Sequence, residues 1–157
     1  MPISRYPLRF NVGFLFNVPI GTYRDIHFDF PVIQLLDLEV TDFAGVVRLN
    51  RTPQGILVEG QFGGKTGAQC VRCLVDFLQP VKTSFEELFA FSQRSASDTD
   101  LVIPEDANID LGPMVGEYLL IEVPINPVCR PDCKGLCEVC GENLNQTICE
   151  HVGYPTE

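Results

Sequence analysis

No stretch of this sequence approaches the roughly 18 consecutive apolar residues of a membrane-spanning helix. A helical membrane protein is thereby excluded, and no membrane partner is expected. The opening residues, MPISRYPLRF, lack an apolar segment followed by a small-residue cleavage site, so a secretory leader is not expected either. No Gly-rich phosphate loop, Ser/His/Asp set or paired-carboxylate pattern stands out, and an enzyme is not expected. Basic residues are scarce: 11 Lys and Arg against 21 Asp and Glu leave a formal net charge of −10. The imbalance is local. Residues 1–75 carry a net +1, residues 76–122 a net −8 and residues 123–157 a net −3. Neutralising phosphates drives most nucleic-acid binding, and this balance opposes it. A basic protein is the better electrostatic partner.

What the chain has in quantity is thiol. Five of its seven cysteines fall in PVCRPDCKGLCEVCGENLNQTICEH, residues 127–151. Cys137-x-x-Cys140-Gly141 has the form of a metal knuckle. Two thiolates three residues apart can grip one cation, and Gly141 lets the chain turn back through positive φ. Cys129 and Cys133 precede this knuckle, Cys149 and His151 follow it, and Cys70-x-x-Cys73 forms a second knuckle far upstream. Seven thiols without a leader point to a reducing, cytoplasmic setting, where cysteines more often bind metal than pair. Eight candidate ligands make two tetrahedral sets, and structural zinc is the expected cofactor. The preferred division is Cys137, Cys140, Cys149 and His151 as one site, with Cys70, Cys73, Cys129 and Cys133 as the other. A redox dithiol at Cys70-x-x-Cys73, or iron in a four-thiolate site or iron–sulfur cluster, are the competing readings. Catalytic zinc, which keeps an open position, fits poorly where ligands are this abundant.

The 45% hydrophobic content and 11 Phe indicate a globular chain with a core. Residues 8–18 are an apolar run compatible with a short helix or a strand. Residues 22–30 alternate, with Ile26, Phe28 and Phe30 on one face and Asp25, His27 and Asp29 on the other, which predicts a half-buried strand and a solvated His27. Residues 38–50 and 56–65 predict a hairpin turning at 51–55, and strand-like residues 81–91 resume after the first knuckle. Residues 92–100 predict a surface loop. Asp110 is the expected N-cap of a helix with Pro113 in its first turn. Met114, Val115, Tyr118 and Leu119, with Glu122 after them, follow at helical spacing, and Pro124 is its terminator. The fold expected is α+β, mainly β: an antiparallel sheet or partly open barrel with one helix and a cysteine-rich zinc-knuckle tail. Residues 1–126 form the mainly β domain carrying the first knuckle, and 127–157 the zinc-binding tail.

Three stretches, RFNVGFLFNVPIG, CVRCLVDF and IDLGPMVGEYLLIEVPINPVC leading into DCKGLCEVCGENLN, together resemble the YceD family of large ribosomal RNA subunit accumulation proteins. The resemblance runs over nearly the whole chain, and CKGLCEVCGENLN is its most specific part. It implies a factor supporting accumulation or processing of large-subunit ribosomal RNA in ribosome biogenesis, with a ribosomal protein or other basic assembly factor as partner and large-subunit ribosomal RNA as a possible one. No catalytic residue is carried over. An RNA-processing enzyme or a direct RNA-binding module is the alternative. Family members commonly finish in Cys-x-Cys where this chain has Cys149-Glu150-His151, and histidine is an ordinary zinc ligand.

Overall fold

The computed structural model describes residues 7–92 and 101–150. Alternation sets the sheet. Strand β2 (Tyr23–Leu35) keeps Ile26, Phe28 and Phe30 half-buried while Asp25, His27 and Asp29 face outward. It turns through Leu36 and Asp37 into β3 (Leu38–Arg51), with Leu35 opposite Leu38. Leu36 takes φ 55°, as a two-residue hairpin turn of right-handed twist requires. Thr52 to Gln54 then lead into β4 (Gly55–Gln69), and the first knuckle separates β4 from β5 (Asp76–Ala90). These four long strands pair antiparallel in chain order, and the short β6 (Leu101–Val102) adds to β5 in parallel. The sheet is mainly antiparallel and does not close into a barrel.

One departure from strict alternation shapes the core. Val40 and Phe43, three residues apart, are both fully buried. A bulge between Thr41 and Ala44, with Asp42 at φ 50°, resets the register so that both reach the inner face. From Phe43 an aromatic stack runs through Phe62 and Phe85 to Tyr118, with ring centroids 5.4, 6.1 and 5.1 Å apart and interplanar angles of 17°, 11° and 2°. Gly45 makes room for it: a Cβ there would lie 2.3 Å from the Phe62 ring.

Residues 8–18 resolve into both of the forms their composition allowed. Strand β1 (Arg9–Asn11) pairs antiparallel with β7 (Asn108–Asp110), and a single 3-10 turn follows at Gly13–Leu15. Helix α1 (Gly112–Glu122) lies against β5 and also reaches β2. Val115 and Leu119 are buried, Met114 and Tyr118 are half-buried, and Glu122 is exposed rather than part of the stripe. Asp110 is not the N-cap. It ends β7, and the cap is Leu111, because the helix starts one residue later than the composition suggested. The Asp110 carboxylate still accepts a 2.9 Å hydrogen bond from the Gly112 N–H, so it serves a free donor of the first turn from outside the helix. Val123 closes the helix, ahead of Pro124. Most of the loop expected at 92–100, from residue 93 on, lies outside the described residues.

Candidate metal centre

The two Cys-x-x-Cys loops are built on one backbone pattern. In the first, Cys70 N–H donates to Val75 O at 2.9 Å and Leu74 N–H donates to Cys70 O at 2.9 Å. In the second, Cys137 N–H donates to Glu142 O at 2.8 Å and Gly141 N–H to Cys137 O at 2.9 Å. The residue after the second cysteine is left-handed in both, Leu74 at φ 63° and Gly141 at φ 77°. This curl aims backbone N–H groups at the sulfurs. Burial works against a Cys70 thiolate, but the N–H groups of Cys73, Cys129 and Arg72 outweigh it and bring Cys70 down to about 6. The N–H groups of Cys140 and Val139 bring Cys137 down to about 6 in the same way. Burial, reinforced by the neighbouring thiols, pushes Cys129 up to about 12. Within each group, then, backbone N–H groups lower one thiol while burial and the neighbouring thiols raise another, Cys129 in the first and Cys140 in the second, and a bound cation would displace whatever protons remain.

The first knuckle meets the segment that leaves α1. Val71 N–H donates to Pro127 O at 2.9 Å and Leu136 N–H to Arg72 O at 3.2 Å. The Arg72 guanidinium donates to Cys133 O at 3.2 Å and Pro131 O at 3.4 Å, tying the segment down along its length. Phe77, Val128 and Leu136 pack around the thiols. Four sulfurs result, those of Cys70, Cys73, Cys129 and Cys133, all within 4.8 Å of one another. Cys70 to Cys133 and Cys73 to Cys129 are each 3.7 Å. Four sulfurs set tetrahedrally at about 2.3 Å from one ion stand about 3.8 Å apart, so the spacing suits a single four-coordinate cation. A disulfide needs about 2.05 Å. The second group holds Cys137, Cys140 and Cys149, also within 4.8 Å of one another. His151 lies outside the described residues. Both cysteine groups can bind a metal ion. His27 faces outward from β2 and belongs to neither.

Two contributors escaped the sequence reading. Arg72 sits inside the first knuckle and anchors the segment that brings Cys129 and Cys133. Asn145 lies on the loop between Cys140 and Cys149 and reaches the first group: its Nδ2 lies 3.2 Å from the Cys133 sulfur, its Oδ1 accepts from Lys134 N–H at 2.9 Å, and its own N–H donates to Asn143 Oδ1 at 3.0 Å. A polar residue in a cysteine-dense loop is the only signal the sequence offered for it.

A family model described as the large ribosomal RNA subunit accumulation protein YceD matches residues 58–155, a span that includes all eight candidate ligands. An uncharacterized protein of Mycobacterium tuberculosis is 34% identical over 114 residues, 70% of this chain and 52% of its own. A large ribosomal RNA subunit accumulation protein YCED homolog 1, chloroplastic, from Zea mays is 43% identical over 42 residues, 27% of this chain and 14% of its own. The protein YlbN of Bacillus subtilis is 39% identical over 64 residues, 40% of this chain and 37% of its own. The chain spans about half the length of the mycobacterial relatives it matches. No solved structure matches it.

Proposed function

Since the chain belongs to the YceD family of large ribosomal RNA subunit accumulation proteins, we propose that it is a non-enzymatic factor supporting accumulation or processing of large-subunit ribosomal RNA. It acts through protein contacts on a zinc-stabilised β scaffold. The observation that carries this reading is the saturated sulfur set at Cys70, Cys73, Cys129 and Cys133. Four thiolates around one ion leave no open position for a substrate or an activated water, which is the arrangement of a structural site. Phosphodiester chemistry with Mg²⁺ calls for oxygen ligands, and the two groups of candidate ligands among the described residues are sulfur-only. The sulfur spacing favours one ion over a multi-iron cluster, which would divide the thiolates among two or four irons and spread the set further apart.

Zinc is held, on this reading, by Cys70, Cys73, Cys129 and Cys133 at one centre and by Cys137, Cys140, Cys149 and His151 at the other. Residues 1–126 form the β domain and 127–157 the zinc-binding tail, and the protein works in the cytoplasm. No helix among the described residues is long and apolar enough to cross a membrane. The partner is a ribosomal protein or other basic assembly factor. Charge supports that choice, since the outward rows of the sheet carry Asp25, Asp29, Glu59 and Glu86 against Arg48 and Lys82, on a chain of net charge −10. The test is depletion of the protein in its own cells, with the ratio of large- to small-subunit ribosomal RNA as readout. The ratio should fall, and wild type should restore it while Cys70→Ser/Cys73→Ser should not. An unchanged ratio on depletion would refute the proposal.

A further inference from the structure

The Asn145 side chain is fixed from both sides, and this determines which end faces the sulfur. Lys134 N–H is a donor only, so the atom it meets must be the carbonyl oxygen Oδ1. That leaves the Nδ2 amide directed at Cys133 Sγ, 3.2 Å away. Asn145 nevertheless belongs to the other centre's loop, the stretch between Cys140 and Cys149. That loop is laid along the first centre's own segment, where Leu144 N–H donates to Gly135 O at 2.9 Å and Leu136 bridges to Asn143. Thr147 in the same loop bonds only within it, to Glu142 Oε2 at 2.8 Å and Asn143 O at 3.3 Å.

We propose that Asn145 couples the two cysteine centres, its side-chain amide fixing the Cys133 sulfur from a loop that Cys137, Cys140 and Cys149 hold in place. The inference rests on the metal-binding reading above. Hydrogen bonds to a ligating atom orient it and tune the metal, and removing one typically costs 10–100-fold in affinity. Asn145 is a positioning residue: it acts on the ion through Cys133. The hairpin centre is then complete only when the tail centre has formed, although the two share no ligand.

The experiment loads wild type and variants with Zn²⁺, adds a chelator and follows release with a colorimetric indicator. The release phase missing from Cys70→Ser/Cys73→Ser identifies the hairpin centre. Asn145→Asp keeps the acceptor for Lys134 N–H but sets a carboxylate against the thiolate, and Asn145→Ala removes both contacts. Each should weaken Zn²⁺ retention at the hairpin centre about 10–100-fold. Thr147→Ala loosens the same loop without approaching the sulfur and should leave that phase unchanged. Cys140→Ser/Cys149→Ser keeps Asn145 but removes its support, and should weaken the hairpin centre as the Asn145 variants do. With Co²⁺ in place of Zn²⁺, Asn145→Asp should shift the thiolate-to-cobalt charge-transfer band, which general loosening would not do. Far-ultraviolet circular dichroism checks that each sheet is intact. Wild-type hairpin-centre release in Asn145→Asp, or equal weakening by Thr147→Ala, overturns the coupling while leaving metal binding standing. Absence of Zn²⁺ binding to wild type would instead overturn the metal reading and this inference with it.

Discussion

Removing the metal should melt the tail and spare the sheet. Among residues 127–150 the structure contains no helix and no strand beyond one isolated bridge between Leu136 and Asn143. Its apolar side chains contribute little: Val128, Leu136 and Leu144 are half-buried, while Val139 and Ile148 are 73% and 90% exposed. Ordering the backbone costs roughly 1–2 kcal/mol per residue, and three half-buried aliphatic groups return only a few kcal/mol. A structural zinc site supplies on the order of 10–16 kcal/mol, enough to make the difference. Hydrogen exchange before and after chelation reads this residue by residue. The amides of Leu136, Cys137 and Leu144, bonded to Arg72 O, Glu142 O and Gly135 O, report on the tail. Those of Val47, Val58 and Phe62 report on the sheet. If only about 4 kcal/mol of the metal's contribution is expressed locally, tail exchange accelerates roughly 1000-fold, at about 1.4 kcal/mol per factor of ten. Tail amides that stay protected in chelator would refute the reasoning.

Other outcomes follow from the same geometry. Purified, reduced protein should hold two zinc ions by elemental analysis, and Cys70→Ser/Cys73→Ser should hold one. One ion in both would mean that the first knuckle binds nothing. Gly45→Ala should cost about 1–3 kcal/mol in urea unfolding, because its Cβ meets the Phe62 ring at 2.3 Å and Gln61 O at 2.4 Å. Gly67→Ala, with open space around its Cβ, should stabilise by about 0.5–1 kcal/mol. Tyr118→Phe removes the 2.7 Å hydrogen bond to Glu87 and should cost about 1 kcal/mol. That bond raises the Tyr118 phenol above its ordinary value. Its contribution is therefore fully present below about pH 10 and lost as pH rises through the folded value, so the gap between variant and wild type should narrow only above about pH 10. Random single-stranded RNA should bind no tighter than the nonspecific range of about 10⁻⁴–10⁻⁶ M at physiological salt. Tight, salt-sensitive binding in a filter assay would show that the acidic balance had been misread.

Much of this fold was legible because its signals are local. Alternation in residues 22–30 and the turn residues between 51 and 55 were sufficient to place β2 and the β3–β4 hairpin. Strand β2 nevertheless continues through Pro31 to Leu35, past the alternating stretch. The bulge at Thr41–Ala44 was not legible, since Val40 and Phe43 at a spacing of three contradict a two-residue period until a partner strand is known. The two-residue β6 leaves almost no pattern to read. At the cysteines, Gly141 announced its own left-handed turn, whereas Leu74 plays the same part with a residue that carries no such signal. Its Leu must bear a conformational cost of about 1–2 kcal/mol that Gly141 avoids. The grouping of Cys129 and Cys133 with Cys70 and Cys73 was expected from ligand number, but its means was not legible: the post-helix segment docks on Arg72, a tertiary event with no sequence period.

The two cysteine groups differ in how far along the chain they reach, and this gives the molecule an order of assembly. Cys137 to Cys149 is a short local loop. Cys70 and Cys133, in contrast, are 63 positions apart, with β5, β6, β7 and α1 between them. In an unfolded chain the entropy of closing the longer loop exceeds that of the shorter by about 1.4 kcal/mol, a tenfold handicap in encounter. With metal bound as proposed, a chain refolding from the unfolded state would fill the far-reaching centre second, and an ion seated there would certify that every element it encloses is in place.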